Sequence, residues 1–230
     1  MLRPQDIQML KESNISDEVR DARGYLFIEK KDCKDYGFKP WQSGDGLLVP
    51  LYNVDQEIRG YQLRRDEPRI SKEGKEVKYE TPYKDTNFLD VNPLMADEVR
   101  KGKQAIFITE GAKKVDALAT IGIPAVGLKG VWNWLGTNED GGSTTLSDWR
   151  DIALKGNIIV IAFDSDVYTN PSVYKAMKEL RNWLFTKKVH RVRFLHLPYD
   201  PDKKLGVDDY LASMHKENND NESERRQHTG

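Results

Sequence analysis

Cys33 is the only cysteine in 230 residues. A lone thiol excludes an internal disulfide and any cysteine-based zinc cluster, and it fits a reducing cytoplasm. Long apolar runs are also missing. No stretch approaches membrane-spanning length, so no membrane is expected as a partner. Met1-Leu-Arg-Pro4 is not followed by the apolar core of a signal peptide. Nor is there an excess of one charge: 36 Lys and Arg stand against 37 Asp and Glu, a formal net charge of −1. Global attraction to nucleic acid is excluded, so any such binding must come from local patches. Internal repeats are absent. What remains is a chain 38% hydrophobic and 32% charged, enough for one large domain or two modest ones.

Ile7, Leu10, Ile15 and Val19 recur at roughly helical spacing across residues 3–25, and Ser16-Asp17-Glu18 reads as an N-cap into a second short helix. Gly37, Pro40, Gly44 and Gly46 mark loops across 30–46. Leu47 to Tyr52 is a strand candidate. Turn chemistry at Asn53 to Gln56 and a second strand from Ile58 to Arg64 follow it. A charged loop is expected to hold Arg64, Arg65, Arg69, Lys72 and Lys75 before a third strand at 78–81. Residues 1–98 therefore read as a mainly β N-terminal subdomain with a helical lead-in.

Strands and helices then alternate. Ala105 to Thr109 is an apolar strand that ends at Glu110-Gly111, with a helix expected over 111–121. Residues 124–128 form a short strand, Lys129-Gly130 opens a long segment, and 146–153 has a helical pattern. The run 158–163 is the strongest strand, 171–185 the clearest amphipathic helix and 189–196 the last strand. Strands joined through helices imply right-handed crossovers and a parallel sheet. Residues 215–230 are polar and aperiodic, the composition of a disordered tail.

Three acidic positions follow strands. Glu110 ends the first, Asp164-Ser-Asp166 follows the strongest, and Asp208-Asp209 comes after the last. The carboxyl ends of parallel strands are the usual ligand edge of an open α/β sheet. Side chains two apart in extended chain share a face, so Asp164 and Asp166 can converge. At an effective dielectric of ~20, two carboxylates 4–5 Å apart repel by roughly 3–4 kcal/mol. A hard divalent cation removes that repulsion, and Mg²⁺ does so while keeping waters for phosphate oxygens. The plainer alternative is a set of solvated acids, or acids neutralised by Lys113, Lys114 and Lys203. Trp132 and Trp134 read as core, and His190 and His196 carry no metal-ligand pattern.

Glu110-Gly111 and Asp164-x-Asp166, each after an apolar strand, resemble the toprim domain of bacterial primases, topoisomerases and some nucleases. Upstream, Leu48-Val-Pro50, Gly60-Tyr-Gln-Leu-Arg64 and Lys78-Tyr79-Glu-Thr-Pro82 are similar to the primase core in order and spacing. Downstream, Leu197-Pro198 and Gly206-Val-Asp-Asp-Tyr-Leu211 resemble its distal acidic element. The nearest likeness is to the toprim-like domain of phage and plasmid replication proteins, often joined to a helicase. The resemblance implies an α/β fold, a toprim-like sheet flanked by helices, with 1–98 primase-like, 99–214 toprim and 215–230 tail. It implies a DNA primase, a nucleotidyltransferase making primers on a single-stranded DNA template from nucleoside triphosphates, beside a replicative helicase. A non-catalytic nucleic-acid-binding module and a toprim nuclease are the alternatives.

By the same likeness Asp164, Asp166 and Asp208 hold Mg²⁺ or Mn²⁺. Glu110 either binds a metal or helps activate the attacking hydroxyl. Arg64, Lys78, Tyr79, Lys113 and Lys129 are the candidates for contacting nucleic acid or nucleotide. Two departures stand out. Gly206 occupies the place of the first distal acid, leaving that ligand missing or supplied by Asp209. Lys114 stands where primases carry an acid four residues after the Glu.

Overall fold

The computed structural model describes residues 1–72 and 74–216. Two short helices lead in, α1 (Pro4–Glu12) and α2 (Asp17–Arg23). The Ser16 hydroxyl accepts from the Val19 backbone N–H at 3.3 Å, the N-cap its sequence position implies. An antiparallel sheet follows, in the order β1 (Leu26–Ile28), β2 (Gly46–Tyr52), β3 (Ile58–Ile70), β4 (Glu76–Glu80). Strand β2 is buried on both faces. Leu47, Val49 and Leu51 face one cluster with Leu10, Val19 and Ala112, while Leu48 joins Ile28, Cys33, Phe38 and Leu63 on the other. That explains its unbroken apolar run. The β2–β3 turn closes on Asn53, whose side-chain oxygen accepts from the Asp55 and Glu57 N–H groups at 3.0 and 2.9 Å.

The second sheet runs β11 (Arg191–Phe194), β10 (Ile158–Ala162), β6 (Ile106–Glu110), β7 (Ala125–Leu128), β5 (Asp90–Val91). Its pairs are parallel except β5 with β7. Between strands lie α4 (Ala112–Thr120) and α5 (Pro171–Thr186), with α3 (Ala96–Lys101) ahead of β6. Ile106, Ile108, Ile159 and Ile161 pack with Leu180 and Leu184 of α5 on one face. Phe107 and Leu195 pack with Val115 and Leu118 of α4 and with Val207 and Leu211 on the other. The sheet is thus covered on both sides, as parallel strands require. Trp134 is core as read, 5.5 Å ring to ring from Trp183. Among the described residues no helix is long and apolar enough to cross a membrane.

Several local expectations need correction. The charged loop expected from Arg64 is strand as far as Ile70, because β3 keeps pairing with β4 after a register shift. Residues 146–153 make only a short 3-10 helix over Ser147–Asp151. The loop-marked stretch 30–46 contains a 3-10 helix over Lys30–Tyr36. Strand β5 falls within the segment assigned to the N-terminal part, yet it forms the far edge of the second sheet. Two residues are too few to leave a periodic signal. A small hairpin, β8 (Leu135–Thr137) with β9 (Ser143–Thr145), has strands of three residues and is as short on periodic signal. Residues 207–216 are helical, so His215 and Lys216 of the expected tail are ordered; its remainder, 217–230, lies outside the described residues.

Candidate active site at the carboxyl edge of the sheet

Glu110 is the last residue of β6, and Gly111 turns the chain into α4 with φ +88, a backbone region that favours glycine. Thr109 is the register partner of Ala162, so Glu110 ends level with the chain that leaves β10 toward Asp164. Asp164 precedes a 3-10 helix over Ser165–Tyr168 that contains Asp166. The third acid arrives from the far end of the chain. Ser165 N donates to Leu205 O at 2.9 Å, and Leu205 N donates to Ser165 Oγ at 2.9 Å. This clasp lays residues 204–208 against the end of β10.

Lysines fill the space between the acids. Lys204 Nζ is 3.1 Å from both Asp164 Oδ2 and Asp166 Oδ2. Lys114 Nζ stands 3.2 Å from Asp164 Oδ1, and Lys113 Nζ 3.8 Å from Asp208 Oδ2. Burial lifts the Glu110 carboxyl above its ordinary range; Asp164 and Asp166 push the same way, against the pull of Lys204 and Lys114. Burial also works against charge on Lys114, yet Asp164, Asp208 and Glu110 hold its ammonium above the usual range. Lys113 is pushed down, mainly by burial, with Asp208 opposing. The neutralising role read for Lys113 and Lys114 is therefore real, and the third partner is Lys204 rather than Lys203.

Three buried oxygens still lack a hydrogen bond: Oδ1 of Asp164, of Asp166 and of Asp208. Lys114 reaches the first of these without hydrogen-bond geometry. A buried polar atom without a partner costs about 1–3 kcal/mol, so three at one rim point to a missing cationic or protic partner. Among the described residues no three acidic, histidine or cysteine side chains converge closely enough to form a metal cage. Such a cage suits Ca²⁺. Mg²⁺ is commonly held by one or two carboxylates plus waters and phosphate oxygens, so this donor set fits it. Asp209 is engaged in its own helix: its carboxylate accepts from the Gly206 N–H at 3.1 Å and caps the helix of 207–216.

The basic candidates divide. Arg64 and Tyr79 are cross-strand partners in β3 and β4. The half-buried Tyr79 has its phenol pKa raised by burial, under the fields of Arg64, Lys114 and Asp208. Arg64, Tyr79 and Lys113 therefore join the first sheet to the acidic rim. Lys78, exposed, points to the other face of β4 and does not join them. Lys129 is drawn into the fold: its ammonium bonds Asp85 and, at 2.9 Å, Thr86 O, and sits 3.8 Å above the Phe88 ring. Burial pushes its pKa down. The expectation that it contacts nucleic acid is corrected accordingly. A feature not anticipated is the exposed pair Trp41 and Tyr83, edge to face at 6.2 Å, with Arg69 over the indole and Lys84 over the phenol. A Gln42 side-chain bond to Thr81 O holds their two loops together.

Known structures share this fold. The chain aligns with the zinc-binding and RNA polymerase domains of the Aquifex aeolicus primase at TM-score 0.63 and 13% identity, over 94% of this chain and 54% of that one. The DnaG primase catalytic domain bound to ssDNA aligns at TM-score 0.58 and 18% identity, over 91% and 70%. A DNA primase domain from Pseudomonas aeruginosa aligns at 0.55 and 18%, over 92% and 68%. The fold is that of a primase catalytic core, and the chain spans about half the length of the first of these proteins. A search of curated proteins returns no match. A family model described as "Domain of unknown function (DUF3854)" matches residues 97–218.

Proposed function

Because the chain belongs to the DUF3854 family, a designation without an assigned chemistry, we propose its activity from the site: a primase-type nucleotidyltransferase. It would join ribonucleotides on single-stranded DNA with the help of a divalent cation. One observation carries the reading. Three carboxylate oxygens, of Asp164, Asp166 and Asp208, lie buried without hydrogen bonds at the carboxyl edge of a sheet folded like a primase core.

Asp164 and Asp166, with Asp208 beside them, would hold Mg²⁺ or Mn²⁺, which when bound supplies charge to the phosphates and fixes their orientation. Lys204 must first leave the pair it bridges; its side chain is 47% exposed and sits on a loop, so it is free to swing out. Lys113, 3.8 Å from Asp208, and the N-terminal amides of α4, which begins two residues after Glu110, would suit phosphate oxygens. Glu110, whose carboxyl binds a proton more readily than a solvated one, would accept the proton of an attacking hydroxyl or join the metal's ligands. Arg64 and Tyr79 would hold the template or nucleotide where the first sheet meets the rim.

The lysines on Asp164 and Asp166 also favour a second reading, a nucleic-acid-binding module without catalysis. Service to a phage or plasmid replication system beside a helicase rests on the sequence resemblance. Incubation with single-stranded DNA, ribonucleotides and Mg²⁺ or Mn²⁺ separates the readings. Metal-dependent primers should form, and Asp166→Asn should cut them at least about a hundredfold, the several kcal/mol that a metal's charge supplies, with an unchanged circular dichroism spectrum. DNA binding without product would leave the binding module standing; cleavage without added nucleotides would identify a nuclease.

A further inference from the structure

The two sequence departures of this site, Lys114 and Gly206, meet in space. A Cβ built on Gly206 would fall 2.5 Å from Asp208 Oδ1 and closer still to Cε of Lys114. The lysine stem therefore runs through the space that a side chain at position 206 would enter. Its ammonium ends 3.2 Å from Asp164 Oδ1, in a side chain 18% exposed, with the fields of Asp208 and Glu110 also upon it. We propose that Lys114, seated over Gly206, is a built-in cation of the acidic rim that takes the place of a second bound metal ion. The inference rests on the metal-bearing reading above and deepens it.

Three observations favour a fixed cation over an incidental ion pair. First, Lys114 stands in the opening turn of α4, a turn with no acidic residue. The positive end of the helix dipole disfavours ammonium there, so the lysine is held by the acids opposite. Second, Lys204 bonds the same carboxylate from a loop with a half-exposed side chain, whereas Lys114 is closed in from a helix. The loop cation is 47% exposed and the helix cation 18%. Third, Asp164 Oδ1 meets Lys114 in charge but not in hydrogen-bond geometry, so a lone pair remains for one further cation.

Mn²⁺ titration followed by electron paramagnetic resonance tests this without any turnover. The wild type should bind one Mn²⁺, and Asp164→Asn should bind none. Lys114→Met and Lys114→Gln, each checked for native circular dichroism, should bind a second ion or hold the first at least tenfold more tightly. A wild type that binds none while Lys114→Met binds one would overturn the metal-bearing reading, and with it the role of Lys114 as stand-in for a second ion. Equal number and affinity in wild type and both Lys114 variants would overturn it while leaving the metal reading intact. No Mn²⁺ on any of the proteins would overturn both.

Discussion

Glu110 is a carboxyl kept where it is uncomfortable. Its pKa is raised by burial and by Asp164 and Asp166, and the nearby lysines do not fully offset this. A raised carboxyl binds its proton more tightly folded than unfolded. Its contribution to stability is full below the unfolded value of 4.5 and is lost as pH climbs through the higher folded value. At pH 7 the residue opposes folding. Glu110→Gln should therefore melt at a higher temperature than the wild type at pH 7, with the gap closing as pH falls toward 4.5. A variant that melts lower at pH 7 would mean that Lys204 and Lys114 outweigh burial. The position of this acid is legible in the sequence because an apolar run ends at it and glycine follows. The positions of the cations are not. Lys129 looks like a phosphate contact until Asp85 and Phe88, more than forty residues away, fold around it. Lys204 becomes a partner of Asp164 only through the clasp between Ser165 and Leu205.

At the scale of elements, pattern and length decide what can be read. Strands β6 and β10 declare themselves by continuous apolar runs, and α5 by its periodicity. Strand β5 has two residues and depends wholly on β7 for its existence. In the first sheet, β3 and β4 set Arg64 toward the rim and Lys78 away from it. Arg64→Ala should lower the log–log salt slope of single-stranded DNA binding by about 1, the signature of one lost phosphate contact, and Lys78→Ala should change it less. The reverse ranking would move the DNA path to the outer face of β4. The Trp41–Tyr83 pair makes a different expectation. Two exposed rings flanked by Arg69 and Lys84 offer a stacking surface for bases. Trp41→Ala should weaken binding of a single strand by about 1–3 kcal/mol with little change in salt slope, as loss of stacking does. Undiminished affinity, or tryptophan fluorescence unmoved by added oligonucleotide, would remove the pair from the path.

The whole molecule turns on a charge network that the sequence does not announce. Arg23, at 0% exposure, donates to Asp116 from Nε and from Nη2, the latter at 2.6 Å, and to Asp90 at 2.6 Å. Tyr25 Oη and Asn92 Nδ2 complete Asp116 at 2.7 and 2.8 Å, while Asp90 also accepts from Tyr52 N. These groups come from α2, the residue before β1, the backbone of β2, β5 and the residue after it, and α4, so the network crosses from the helical lead-in and first sheet to the second. Charges so deeply buried stay only because they are paired, and removing one partner leaves the other uncompensated, at a cost of about 3–5 kcal/mol. Asp116 lies two residues beyond Lys114 on α4. The same helix thus delivers the rim's lysines outward and anchors the two sheets inward. Asp116→Asn should lower the free energy of urea unfolding by about 3–5 kcal/mol, a large part of the roughly 5–15 kcal/mol of an ordinary domain. Because the network spans the chain from residue 23 to 116, the wild type should unfold in one transition reported equally by Trp41 of the first part and Trp183 of the second. Asp116→Asn should either keep that single transition at lower urea or split it, the first part loosening before the second. Wild-type stability in Asp116→Asn would mean that the apolar cluster of Leu10, Val19, Leu47 and Ala112 joins the two parts without help from Arg23.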